Sequence, residues 1–164
     1  MLAGGGTRGW VHIGAMRAFS EVGLEFDLVG GTSAGSAAAA LYATGGEYDY
    51  ISQAMDSLMR ASLEVVKLRH YTLPIVSISD ASVNTILLQR VFGETSIEQL
   101  ALQFFCVSCD ISRNREIVHD RGLVWQAVRA SCSVPGLAPP VVIEGDMHIA
   151  VSYTHLTLPT SDLV

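Results

Sequence analysis

The chain is poor in charge, poorer still in basic residues, and has no long apolar run. Only 16% of its 164 residues are charged, and 10 Lys and Arg face 16 Asp and Glu, a net charge of −6. That balance argues against nucleic acid as a partner, since phosphates call for a basic face. It gives no overall attraction to anionic lipid either, so any contact with a peripheral membrane surface has to come from a local patch. No apolar run approaches the roughly 18 residues of a spanning helix, and no basic start marks a secretory signal. Cysteine is scarce and odd in number. Cys106, Cys109 and Cys132 cannot all pair, which suggests a reducing, cytoplasmic setting. Cys106 and Cys109 are spaced like a redox or zinc pair. No second pair accompanies them, and in Phe104-Phe105-Cys106-Val107-Ser108-Cys109 they read as strand positions facing opposite sides. Small core residues are expected there, with no metal site and no cofactor. Repeats and linkers are absent too. Apolar residues, at 49%, suffice for one domain with a real core.

Against this background one stretch stands out. The apolar run Phe26-Asp27-Leu28-Val29 leads into Gly30-Gly31-Thr32-Ser33-Ala34-Gly35-Ser36, and then into four consecutive alanines from Ala37. Strand, tight turn and helix are predicted. Gly31-Thr32-Ser33-Ala34-Gly35 is a G-x-S-x-G string, the pattern of a nucleophile elbow. A serine in a strained turn has its hydroxyl pushed clear of the backbone, and side chains at the flanking glycines would strike neighbouring elements. The helix that follows aims its positive end at the charge that develops during acyl transfer. A bland Gly/Ser turn is the alternative.

A second string bears on that choice. Gly4-Gly5-Gly6-Thr7-Arg8-Gly9 precedes an amphipathic stretch from Trp10 to Val22, with Gly6 lying 27 residues before Ser33. Bare glycines let backbone N–H groups converge on an anion. Gly4, Gly6 and Gly9 also fit G-x-G-x-x-G, so a nucleotide-binding module is the competing reading. That reading wants an acid at the end of the next strand. The next strand ends in the serine turn instead, and Glu25 and Asp27 come before it.

Together the two strings resemble the patatin-like phospholipases, whose G-G-G-x-[RK]-G loop and G-x-S-x-G elbow occur at about this separation. Arg129-Ala130-Ser131, Val134-Pro135-Gly136 and Pro139-Pro140 resemble in particular the bacterial branch related to neuropathy target esterase. The resemblance covers Leu2 to Ile149. It implies an α/β, three-layer fold with a mainly parallel central sheet flanked by helices. It also implies hydrolysis of phospholipid or lysophospholipid acyl esters by a serine–aspartate dyad. Carried over, Ser33 is the nucleophile, Gly4, Gly5, Gly6, Thr7, Arg8 and Gly9 form the oxyanion loop, and Gly31, Thr32, Ala34 and Gly35 complete the elbow.

The remaining chain fills in around these strings. Val11, Ala15, Ala18, Phe19 and Val22 recur at helical spacing before Gly23, with His12 a packed or surface residue. A second helical pattern from Tyr48 to Leu68 runs through Ile51, Met55, Leu58, Met59, Leu63 and Val66. Lys67, Arg69 and His70 then form the one basic cluster, read as a solvated helix end or as a cap touching lipid. A helix is expected from Ser77 to Val91, with Ser79 or Asp80 as its N-cap. A strand is expected from Gln103 to Ile111 with Arg115–His119 as antiparallel neighbour, then a helix from Leu123 to Ser131. Val134 to Pro140 reads as an extended loop, followed by a last strand at Val141 and a hairpin turn at Glu144-Gly145-Asp146. Asp110 is expected to form a turn rather than to act as a base.

After Ile149 the family pattern calls for Asp-Gly-Gly or Asp-Gly-Ala, which carries the general base. The chain reads Ala150-Val151-Ser152-Tyr153-Thr154-His155-Leu156-Thr157-Leu158-Pro159-Thr160, a string that resembles translated transposon-type sequencing adapter. The expectation is a phospholipase domain over 1–149, incomplete at its C-terminus, and a non-native tail over 150–164. Alanine and aspartate codons share their first base, so an interrupted Asp codon yields Ala150. A natural C-terminal strand is the alternative, which would make the chain an inactive relative. Without a base the serine is a poor nucleophile, so little hydrolysis is expected. Asp146 lies four residues early and is expected to point away. A histidine triad using His119 or His148 is the runner-up among hydrolases.

Overall fold

The computed structural model describes residues 1–67 and 82–151, with the side chains of 62–67 and 82–83 excepted. The basic cluster beyond Lys67, the start of the helix expected at Ser77, and residues 152–164 of the tail lie outside the described residues. Helices and strands follow in the order α1 (Trp10–Glu21), β1 (Leu28–Gly31), α2 (Ala34–Ala43), α3 (Tyr48–Lys67), α4 (Ser82–Phe92), β2 (Gln103–Asp110), β3 (Arg115–His119), α5 (Val124–Cys132), β4 (Val141–Ile143) and β5 (Asp146–Ala150).

The sheet is mixed. β1 runs parallel to β2 from Leu28↔Gln103 to Gly31↔Cys106, and Leu2 makes a parallel bridge to Gly31. β3 and β5 are antiparallel to β2, and β4 is antiparallel to β5. Parallel pairing is therefore concentrated around the serine turn, and tight turns fold the later strands back on their neighbours. One turn is Glu144-Gly145, with φ of 52° and 90°, a two-residue hairpin loop of the mirror-image type. The other contains Asn114 at φ 52° and is tied by Asp110, whose Oδ1 accepts from Ser112 N and Arg113 N at 2.9 and 3.1 Å.

The core lies on one face of the sheet. Val29, Phe104 and Cys106 point into a cluster with Ile13 of α1, Ala37–Leu41 of α2, Met55 of α3, Leu88 of α4 and Val128 of α5. α2 is buried on nearly every side, which its alanines permit because they let the sheet, α3 and α5 approach closely. On the opposite face Leu28, Val118, Val142 and Met147 stay exposed. The described residues thus form two of the three layers expected. Cys106 and Cys109 fall on opposite faces of β2, free and unpaired with each other, as their strand spacing requires.

Two local expectations are corrected. In α1 the buried residues are Ile13 and Met16, whereas Val11 and Val22 of the expected stripe are 70% and 76% exposed. Apolar residues surround most of this helix, so spacing alone could not choose its buried side. Val134–Pro140 is not simply extended. Leu137 N donates to Val134 O at 3.0 Å, and Gly136 at φ 81° closes a turn that proline sets up.

Candidate active site

Ser33 sits between the end of β1 and the first residue of α2 with φ 51° and ψ −126°, a region that non-glycine residues rarely enter. The flanking glycines make this turn sterically open. A Cβ at Gly31 would lie 2.4 Å from the Gly35 backbone, and one at Gly35 would lie 2.3 Å from Leu2 O. The strain is held by bonds on both sides. Gly35 N donates to Thr32 O at 2.9 Å, Ser36 Oγ donates to Ser33 O at 2.6 Å, and Ser33 N donates to Ser131 Oγ at 2.9 Å. Ser131 is the buried serine of the Arg129-Ala130-Ser131 string, which explains that string structurally.

The glycine loop wraps against this turn. Leu2 N donates to Gly30 O at 2.7 Å and Thr32 N to Leu2 O at 3.1 Å, so the entering segment is pinned beside β1. His12 contributes as a packed residue, its Nε2 lying 2.8 Å from Ala3 O. The six loop residues divide their work. Gly4 N donates to Thr32 Oγ1 at 3.1 Å, and its missing Cβ leaves room for the Ser33 side chain. Gly9 admits α2, since a Cβ there would meet Ala34 Cβ at 2.8 Å. Gly6, at φ 56°, begins a 3-10 turn over Gly6–Gly9 that carries Thr7 and Arg8 on the surface. The N–H groups of Gly5, Gly6 and Ala34 have no hydrogen-bond partner among the described residues, and Ala34 directly follows Ser33.

The strand register decides what else comes near. β2 is flanked along one edge by β1 up to Cys106 and, from Ser108 onward, by β5, whose Ala150 pairs with Ser108. The C-terminal ends of β1 and β5 therefore face each other along the same edge. Two residues of strand rise put Ala150 about 7 Å from Gly31 along that direction. Ala150 N donates to Ser133 O at 2.8 Å, so the end of α5 grips both the Ser33 backbone and the end of β5.

Cys132 completes the wall. Its Sγ lies 3.9 Å from Ser36 Oγ. Burial pushes the thiol up to about 11, while hydrogen bonds to the Ser36 and Ser33 side chains pull the other way. Only the closure of α5 over the elbow reveals its neighbours.

Other candidates fall elsewhere. His119 and His148 do not join Ser33 but sandwich the buried Ser108, whose Oγ lies 2.7 Å from His119 Nε2 and 3.0 Å from His148 Nδ1. A hydroxyl with one hydrogen and two lone pairs can donate to one ring nitrogen and accept from the other. His119 is lowered to about 4 by burial first and by His148 second. Asp110 is committed to its turn, and Asp146, at the far end of β5, pairs with Arg113 at 2.9 Å. Glu25 and Asp27 are exposed ahead of β1, at the end remote from the glycine loop, which removes the acid a dinucleotide site would need. Among the described residues no helix is long and apolar enough to cross a membrane, and no three His, Cys, Asp or Glu gather as metal ligands.

Comparisons with known proteins identify the family. The family model described as patatin-like phospholipase matches residues 1–154. Lysophospholipase nte1 of Aspergillus fumigatus is 36% identical over 160 residues, which is 93% of this chain and 10% of that protein. An uncharacterized NTE family protein of Mycobacterium bovis is 41% identical over 142 residues, 86% of this chain and 24% of the relative. This chain thus spans only a tenth to a quarter of the length of these relatives. Among solved structures, VipD from Legionella pneumophila superposes with a TM-score of 0.57 at 12% identity, covering 92% of this chain and 45% of that one, a likeness of fold. On these matches, and on the loop and elbow they contain, the chain belongs to the patatin-like phospholipase family.

Proposed function

We propose that this domain is built for acyl-ester hydrolysis of phospholipids or lysophospholipids by a serine–aspartate dyad, with position 150 as the seat of the base. The observation that carries this reading is the convergence of Ser33 and Ala150 at the two strand ends that meet along β2. Ser33 Oγ attacks the ester carbonyl and passes its proton to a carboxylate at position 150. The new oxyanion takes hydrogen bonds from the free N–H groups of Gly5, Gly6 and Ala34, helped by the positive end of α2. Collapse expels the alcohol, whose oxygen takes that proton back from the carboxyl group, and water then cleaves the acyl-serine with the regenerated carboxylate as base.

With alanine at position 150 no group there accepts the proton, so the chain as written should bind lipid esters without turning them over. The test is covalent labelling of Ser33 by a fluorophosphonate in the Ala150→Asp variant. A carboxylate acting as general base should speed labelling about 10²–10⁴-fold over the unsubstituted chain, with Ser33→Ala unlabelled. A folded Ala150→Asp protein that labels no faster refutes the reading.

A further inference from the structure

The two strand ends that meet along β2 are not paired to each other. β1 takes Gln103–Cys106 of β2 and β5 takes Ser108–Asp110, so among the described residues no ladder bond joins β1 to β5. The end of α5 spans them instead. Ser33 N donates to Ser131 Oγ at 2.9 Å, and two residues further on Ser133 O accepts from Ala150 N at 2.8 Å. Both serines are buried, and the turn that joins them is itself tied down. Ser133 N donates to Ala130 O at 3.2 Å and Ser133 Oγ to Arg129 O at 2.9 Å. Ser131-Cys132-Ser133 is therefore a short, stiff bridge with position 33 at one end and position 150 at the other.

The bridge acts on the strained torsion of Ser33. The Ser33 carbonyl is held from within α2, accepting from Ser36 N at 2.8 Å and Ser36 Oγ at 2.6 Å. The peptide before the serine is held at two points. Thr32 O accepts from Gly35 N inside the turn, and Ser33 N–H donates to Ser131, 98 residues along the chain. A positive φ on a residue with a side chain persists only where its surroundings over-determine it. Bonds inside the turn keep its shape, and the bond to Ser131 ties that shape to α5 and through Ser133 to β5. Rotation about the Ser33 N–Cα bond, now at φ 51°, carries Oγ with it. Packing alone does not account for a buried hydroxyl here, since α5 already uses alanine at its buried positions 127 and 130.

We propose that Ser131 is a positioning residue of the dyad, whose hydroxyl, acting through the Ser33 N–H, sets where the nucleophile stands relative to a carboxylate at position 150. The inference rests on the acyl-ester reading of Ser33 and deepens it by naming the side chain that sets the spacing of the two groups. Ser131 touches neither the ester nor a reacting atom in this scheme, and it moves no proton.

A double-substitution cycle tests it. Fluorophosphonate labelling of Ser33 is followed against probe concentration in the unsubstituted chain, Ala150→Asp, Ser131→Ala and the two combined. With aspartate at position 150, Ser131→Ala should lower the maximal labelling rate about 10–100-fold, the scale of a 1 Å misplacement. The half-saturating probe concentration should stay within about twofold, because only alignment is lost. With alanine at position 150 there is no base to misalign, and the same substitution should change the rate by less than about threefold. Ser131→Cys, close in volume but a weaker acceptor, should fall between serine and alanine in the aspartate background. Ile97→Val, a buried change in a different part of the core, should lower the thermal midpoint by a few degrees, as Ser131→Ala does, yet leave the rate within about twofold. Full rate in Ser131→Ala, equal slowing in both backgrounds, or equal slowing by Ile97→Val would overturn the proposal. If Ser131→Ala does not fold, Ser131→Cys decides: slowing confined to the aspartate background supports the proposal, and an unchanged rate refutes it. If Ala150→Asp alone labels no faster than the unsubstituted chain, the hydrolase reading fails and the proposal falls with it. If it labels faster and Ser131→Ala loses nothing, the positioning role alone fails.

Discussion

Gly14→Ala and Gly35→Ala should move stability in opposite directions, although both replace a glycine inside a helix. Helical propensity alone favours alanine over glycine by about 1 kcal/mol. At Gly14, exposed in α1, a Cβ meets nothing within 4 Å. The propensity gain is then realised, and for a chain of this size it raises Tm by roughly 2–4 °C. At Gly35 the new Cβ would stand 2.3 Å from Leu2 O and 2.6 Å from Ala3 O, where real Cβ contacts essentially never fall under 3.0 Å. Both obstacles are backbone, and Leu2 is pinned to Gly30 and Thr32, so no side chain can swing aside. Relief requires moving the segment that feeds the glycine loop. Overpacking of this kind costs about 1–3 kcal/mol, which outweighs a gain already reduced in the first helical turn. The net loss should be about 1–2 kcal/mol, a fall of roughly 2–8 °C in Tm. In an Ala150→Asp background the labelling rate of Ser33 should fall as well, because the displaced loop carries the donors proposed for the oxyanion. Thermal and urea unfolding of both variants provide the check. A Gly35→Ala protein as stable as the unsubstituted chain would refute the argument that Gly35 is required by close approach.

Three further outcomes follow from the same structure. His119 is neutral in the fold down to about 4, while an unfolded histidine titrates near 6.5. The unfolded chain therefore binds the extra proton below 6.5, so this contribution is intact above that pH and is lost toward 4, reaching about 3 kcal/mol; urea midpoints between pH 7 and 4 should show the slope, flattened in His119→Gln. Ser131→Ala should cost about 1 kcal/mol, since it strips the acceptor from Ser33 N, and denaturant unfolding should register the loss. Glu144→Asn should raise Tm by a few degrees, because asparagine tolerates the positive φ that glutamate holds there under strain.

What could be read from the sequence was whatever sterics force on single residues. Gly31 and Gly35 have to be glycine for the elbow to close, and a glycine loop with a G-x-S-x-G string leaves few other architectures. The twofold alternation of β2 likewise separates Cys106 from Cys109 without any knowledge of the fold. Features that depend on register were invisible. His119, Ser108 and His148 meet because β3 and β5 flank β2 in one particular alignment, and nothing local to any of the three announces it. The buried side of α1 was illegible for a different reason, since apolar residues on most of its circumference leave the choice to the neighbours.

The meeting of β1 and β5 along β2 also has a consequence for how such a domain comes into being. The serine turn is made before β2, β3 and α5, whereas the position facing it belongs to the last described strand. A chain growing from the ribosome would therefore carry its strained serine through the making of all three with nothing yet opposite it. On the proposed mechanism, a carboxylate at position 150 would come to face the serine only when the β4–β5 hairpin zips onto β2. Order of translation would thereby act as a safety catch, keeping the proposed hydrolytic centre silent until β5 is in place.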